Sequence, residues 1–145
     1  MKEIFLIIAS HLQGLSDISW VDLDKGQLEF YETRPSVQFP AVLIGMQITR
    51  THKISNTRQR CDLLITLRLA VDYHGNTSQI TPDVARAESM RYLDLSDQLY
   101  SRLHGWGSEL FNPLERQALR EERRADGYKV VAIPFTTTYI QSTDI

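Results

Sequence analysis

The sequence predicts an α+β fold: two main helices and about five strands in a mixed or mainly antiparallel sheet, with a long protruding β-hairpin. Three patterns point there. Ile4, Phe5, Ile8, Leu12 and Leu15 form one helical stripe at the start of the chain. Cys61, Leu63, Ile65, Leu67, Leu69, Val71 and Tyr73 make every odd position of one segment apolar, against Arg60, Asp62, Thr66, Arg68 and Asp72 at even ones. Val131, Ile133, Phe135, Thr137 and Tyr139 repeat the two-residue period near the end.

Taken in order, the stripe gives a first helix over Lys2 to Gln13, with Gly14 as its stop. Ile18 to Leu23 is a short β-leaning run closed by the turn formers Asp24, Lys25 and Gly26. A second strand covers Ala41 to Thr51, with Val42, Ile44, Met46 and Ile48 on one side, and the odd-position run is the third. The polar stretch Thr49 to Gln59 joins them as a hairpin whose tip extends beyond the sheet. A second helix follows, with Thr81 as N-cap, Pro82 at the first helical position, Asp83 in the first turn, core positions Tyr92, Leu95, Leu99 and Leu103, and Gly105 as stop. Leu114 to Asp126 contains good helix formers. Only Ala125, Asp126 and Gly127 separate it from the last strand, however, and a hairpin partner there satisfies one edge of that strand, so position favours a strand. The last strand spans Tyr128 to Gln141, where Pro134 calls for a sheet edge or a bulge. The expected core is Ile4, Phe5, Ile8 and Leu12 with Leu95, Leu99 and Leu103, packed on Leu63, Ile65, Leu67, Leu69, Ile133 and Phe135.

Nothing resembles a linker or a repeat, so residues 1–145 read as one domain. At 145 residues with 42% hydrophobic side chains, the chain buries enough surface to fold without disulfide or structural metal. The single Cys61 excludes a disulfide scaffold and cysteine-built metal centres, and fits a reduced, intracellular assembly site. Ile4 to Ala9 is too short an apolar run to span a bilayer, so no membrane partner is expected. A net charge of −2 argues against non-specific nucleic-acid binding. The charge is uneven: residues 1–35 carry three basic and six acidic groups, and residues 36–74 carry five and two. Such a layout fits head-to-tail contacts between identical subunits, as well as an uneven solvated surface.

Signals for catalysis are absent. His11, His52, His74 and His104 include no i, i+4 pair of the zinc-protease kind and read as surface or helix-end residues. Asp22, Asp24 and Gly26 imitate a calcium loop, but the glycine falls one place early and position twelve is Thr33 rather than glutamate. No nucleophile elbow, phosphate-binding glycine loop or dinucleotide fingerprint occurs. Cys61, with His52 or His74 as base, sits on the apolar face of its strand and reads as buried and inert. The expectation is therefore no catalytic residue, no metal, no cofactor, and no enzyme.

Two basic clusters remain. Arg50, Lys53, Arg58 and Arg60 lie in the hairpin with His52, and residues 50–60 contain no acid. A projecting arm of this kind reads either as a solvated loop or as a dock for a neighbouring subunit. Arg116, Arg120, Arg123 and Arg124 are interleaved with Glu115, Glu121 and Glu122, a mixture suited to ion-pair networks. The acidic surface near Asp22, Asp24, Glu29 and Glu32 is the complement proposed for the hairpin in a subunit contact.

The order of elements, with Trp20-Val21-Asp22 and Asp24-Lys25-Gly26-Gln27 after the first helix and Phe39-Pro40-Ala41-Val42-Leu43-Ile44 leading into the hairpin, resembles the small tail terminator or tail completion proteins of long-tailed bacteriophages and prophages. The likeness covers almost the whole chain and rests on order and size more than on any short motif. It implies two helices packed on a mixed or antiparallel sheet, in a subunit without catalytic residues. Such subunits assemble as a ring, a hexamer by resemblance, that ends tube polymerisation. The implied partners are further copies of the chain, the tail tube protein and a head-completion protein, with DNA only as cargo through the channel. The implied location is the virion tail, assembled in the bacterial host cytoplasm. A small enzyme or ligand-binding domain with a dispersed site, and a monomeric adaptor binding through its sheet edge, are the alternatives.

Overall fold

The computed structural model describes residues 1–29, 34–72 and 75–144. Glu32, Thr33, Tyr73 and His74 lie outside the described residues. The chain runs α1 (Lys2–Leu12), β1 (Trp20–Leu23), β2 (Ala41–Lys53), β3 (Arg58–Val71), α2 (Asp83–Ser89), α3 (Arg91–Leu103), β4 (Glu115–Arg116), β5 (Arg120–Glu122) and β6 (Lys129–Ser142). The six strands form one mixed sheet in the order β1-β2-β3-β6-β4, with β5 also paired to β6. Only β1 and β2 run parallel; the other pairings are antiparallel. This is the α+β architecture expected, with three helices in place of two and six strands in place of about five among the described residues.

Alternation assigns the faces. Val42 and Ile44, the odd residues of β3 from Cys61 to Val71, and Val131, Ile133, Phe135 and Tyr139 all point to one side, where Ile4, Ile8 and Leu12 of α1 and Leu95, Leu99 and Leu103 of α3 cover them. The expected core is buried throughout, except that Phe5 is only half-buried at its margin. On the opposite face a smaller cluster of Leu28, Val37, Ala41, Leu43, Ala70 and Val130 occupies one end of the sheet.

Three local expectations change. Gly14 is not a left-handed helix stop; a Cβ there would meet the Arg102 guanidinium, whose Nε donates to the His11 carbonyl at 3.0 Å. Gly105, with φ of +78°, does end α3 in the left-handed region. Thr81 does not cap the next helix, because its hydroxyl pairs with Ser78 at 3.1 Å and its N–H donates to the Ser78 carbonyl; Pro82 takes the cap position. The second helix is split at Met90 into α2 and α3. There the Ser89 hydroxyl donates back to the Ala85 carbonyl at 2.9 Å and accepts the Gly75 N–H at 3.0 Å, the kind of back-bonding that interrupts a helix.

The segment from Leu114 to Asp126 holds strand, as its position favoured, in two short pieces, β4 and β5. Pro134 explains the break. The Gln117 N–H donates to the Pro134 carbonyl, so that residue turns its polar edge toward β4 and β5. Its missing N–H therefore falls between the two short strands, where no ladder partner is needed.

The hairpin also differs from the expectation. β2 and β3 pair as far as Lys53 and Gln59, leaving only residues 54–57 as the tip. β6 accompanies β3 to the Arg58 and Ser142 pair, so the projection is a three-stranded ribbon rather than a free hairpin.

Candidate functional site

Strands of 13 or 14 residues span roughly 45 Å at the usual rise, longer than the two core helices. Cys61 and Tyr139 are the last buried pair; from there outward the ribbon is largely exposed. This arm consists of residues 50–60 and 140–142. A register shift between Ile48 and Arg50 aims Arg50 to the open face of the sheet with Arg58 and Arg60, while Lys53 projects from the face that carries the helices further in. All four cations are exposed, and none makes an ion pair or side-chain hydrogen bond among the described residues. His52 shares the open face, with Nε2 3.5 Å from an Asp62 carboxylate oxygen. At the tip, Ile54 is 53% exposed. A polar hollow of about 550 Å³ beside it is lined by Lys53, Asn56, Arg58, Gln59, Gln141 and Thr143, among others.

The expected acidic complement lies at the other end of the sheet and is already engaged. Asp24 and Glu29 both accept from the Arg68 Nη1, Asp24 at 3.4 Å. Arg68 also forks onto Glu122 with distances of 2.9 and 2.7 Å. Hydrogen bonding to Glu122, then to Glu29, raises the Arg68 guanidinium further above its ordinary range against the opposing effect of burial. Asp22 accepts from Gln27 at 3.2 Å and stands 3.5 Å from Lys25. Asp24 also accepts the Gly26 N–H, which makes the calcium-like string a tight turn.

The network continues inward. The Arg124 side chain is 1% exposed, forks onto Asp126, approaches Glu122 at 3.8 Å and donates to the Leu28 carbonyl. This hydrogen bonding from Arg124 holds the Asp126 carboxyl below its ordinary range. Lys129 does the same to Glu121 from 2.8 Å. The mixed-sign segment of β5 therefore closes the far end of the sheet electrostatically.

Cys61 packs beside Tyr139, and its Sγ is 3.8 Å from Gln141 Oε1. Burial, then the neighbouring Cys61, pushes the Tyr139 hydroxyl up to about 12. Thr51 pairs with Cys61, so His52, the next residue, projects from the opposite face and is no base for that thiol. His11 stacks on Trp106 with ring centroids 3.9 Å apart, and the His104 Nδ1 accepts the Arg116 N–H at 3.1 Å. Among the described residues no three of His, Cys, Asp and Glu come together as metal ligands, and no helix is long and apolar enough to cross a membrane.

No family model matches this chain, and no curated protein matches it. Two features escaped the sequence reading. Arg68 was visible only as a polar even position, because its partners come from β5 and the 24–29 turn, which the fold alone brings together. Val84, 86% exposed, falls inside a helix expected to be continuous and packed, and Ile80, 88% exposed, falls just before it.

Proposed function

We propose that the chain is a structural subunit, not an enzyme, that caps the tail tube of a long-tailed bacteriophage or prophage as a ring. In this role it ends tube polymerisation and joins the tail to the head. Its partners are further copies of itself, the tail tube protein and a head-completion protein, with DNA passing only as cargo. It acts in the virion tail after assembly in the host cytoplasm.

The observation that carries this reading is the arm. Four cations without a partner among the described residues stand on a three-stranded ribbon that no described helix covers, whereas cations of the same chain at the far end are locked into carboxylates. Exposed, unpaired charge adds little to folding, so the ribbon is built for a contact outside the subunit. A closed ring needs such a contact to be heterologous, with two different patches on each copy. The element order that resembles tail terminators supplies the context.

Electron microscopy of the purified chain, alone and mixed with phage tail tubes, tests the role. Rings with a central hole and tubes closed at one end are expected. Uncapped tubes together with particles of single-subunit mass overturn it.

A further inference from the structure

α2 is held loosely. Its only buried residue is Ser89, and Val84 and Glu88 share its outer face at i, i+4 spacing. Ile80, just before the helix, and Val84 are the two most exposed large apolar side chains among the described residues. Asp83 and Glu88 flank them, exposed and without an ion pair among the described residues. The feature is thus an apolar ridge edged with negative charge. Two large apolar side chains left this bare within five residues of sequence offer a contact surface.

The arm tip is its converse. Ile54 is exposed between Lys53 and the neighbouring Arg58, whose carbonyl accepts the Ile54 N–H at 3.0 Å. The two surfaces cannot meet within one chain. Gly75, bonded to Ser89, ties α2 to the Val71 end of β3, while Ile54 sits beyond its Arg58 end, a strand of 14 residues and roughly 45 Å away. We infer that the tip residues Lys53, Ile54 and Arg58 of one copy seat on the Ile80, Val84 and Glu88 face of a second copy. The occupant is another copy because apolar shape and charge of both signs are matched within this one sequence. Patches at opposite ends of a strand also give the head-to-tail contact from which rings close. The pairing rests on the ring reading and deepens it by naming the receptor. The 22–29 turn is the poorer receptor, since Asp24 and Glu29 already hold Arg68.

Disulfide trapping tests the pairing. Copies carrying Asn56→Cys are mixed at millimolar concentration with copies carrying Val84→Cys, or with copies carrying Lys25→Cys in the rival turn, under oxidising conditions. A linked dimer with Val84→Cys, at least tenfold more abundant than with Lys25→Cys, is expected. Equal or reversed yields, or no link at all, overturn the pairing. A companion variant, Ile80→Asp with Val84→Asp, alters only exposed side chains and keeps the wild-type circular dichroism. It should weaken self-association at least tenfold by sedimentation, and unchanged sedimentation overturns the pairing. Capped tubes without the Val84 link refute this receptor alone, and the link without capped tubes refutes the terminator role alone.

Discussion

At the Val71 and Lys129 end of the sheet both faces are covered, and Arg68 and Arg124 are tied to Asp24, Glu29, Glu122 and Asp126. At the other end the same strands continue uncovered, and Arg50, Lys53, Arg58 and Arg60 have no partner among the described residues. One sheet thus carries two uses of arginine. At the closed end each charge fixes the 24–29 turn or β5 against the sheet, so geometry and stability depend on it. At the open end a charge changes only what the arm attracts. The difference teaches that the ends are separable: substitutions at one alter folding, and substitutions at the other alter association.

The largest expected effect is at the closed end. Arg124→Ala leaves Asp126, whose side chain is 5% exposed, without its partner, and should cost about 3–5 kcal/mol in urea denaturation. Replacing both partners by apolar residues, Arg124→Met with Asp126→Leu, should recover most of that loss, because no buried charge is then left uncompensated. If Arg124→Ala leaves the midpoint unmoved, the closed end owes its stability to packing alone.

Between the two ends, Leu67 is fully buried in the core that α1 and α3 share with the sheet and pairs with Ile44 and Ile133. Leu67→Ala should cost about 2–5 kcal/mol, the transfer and cavity terms together. An unchanged denaturation midpoint would mean that this face of β3 is not the packed one.

Acid sharpens the comparison in another way. The carboxyls of Asp126 and Glu121 are held below their ordinary values of 3.8 and 4.5 by Arg124 and Lys129. A carboxyl depressed in the folded state contributes stability above its unfolded pKa and loses it as pH falls through the folded one. Thermal stability should therefore fall below about pH 4, less steeply in Asp126→Asn, whereas Arg58→Glu with Arg60→Glu adds carboxylates at the arm without removing any from the closed end. Identical acid slopes for wild type and Asp126→Asn would remove Asp126 from the account.

The same division explains what was legible in the sequence. The odd residues of β3 announced their face because a two-residue period survives any arrangement of the other strands. The strand at 114–126 was legible from position, since Gly127 and the turn beside it leave room only for a hairpin partner. The split of the second helix was not, because it depends on the Ser89 hydroxyl meeting Gly75, fourteen residues away. Arg68 was illegible as the hub of a network for the same reason: its carboxylates come from two separate segments, the 24–29 turn and β5. The arm's cations could be read as a cluster, and only the register shows that Lys53 leaves the face shared by Arg50, Arg58 and Arg60.

The smallest effect on folding belongs to the arm, and it carries the greatest consequence for assembly. In Arg58→Glu with Arg60→Glu, two exposed guanidinium groups without ion pairs among the described residues become carboxylates on a strand whose backbone ladder is untouched. The change in folding stability should stay within about 0.5 kcal/mol, the usual range for surface substitutions. Circular dichroism and melting temperature should therefore match wild type. Association should be lost, because the tip would present negative charge to an acidic receptor and meet repulsion in place of attraction. Raising the salt should weaken wild-type assembly and partly relieve the repulsion in the variant, as expected for exposed charges across an interface. If the variant melts several degrees lower, the arm is part of the folding unit and the two ends are not separable. If it still forms rings and caps tubes at ordinary salt, the ribbon is only a solvated extension of the sheet, and the subunit contact lies elsewhere.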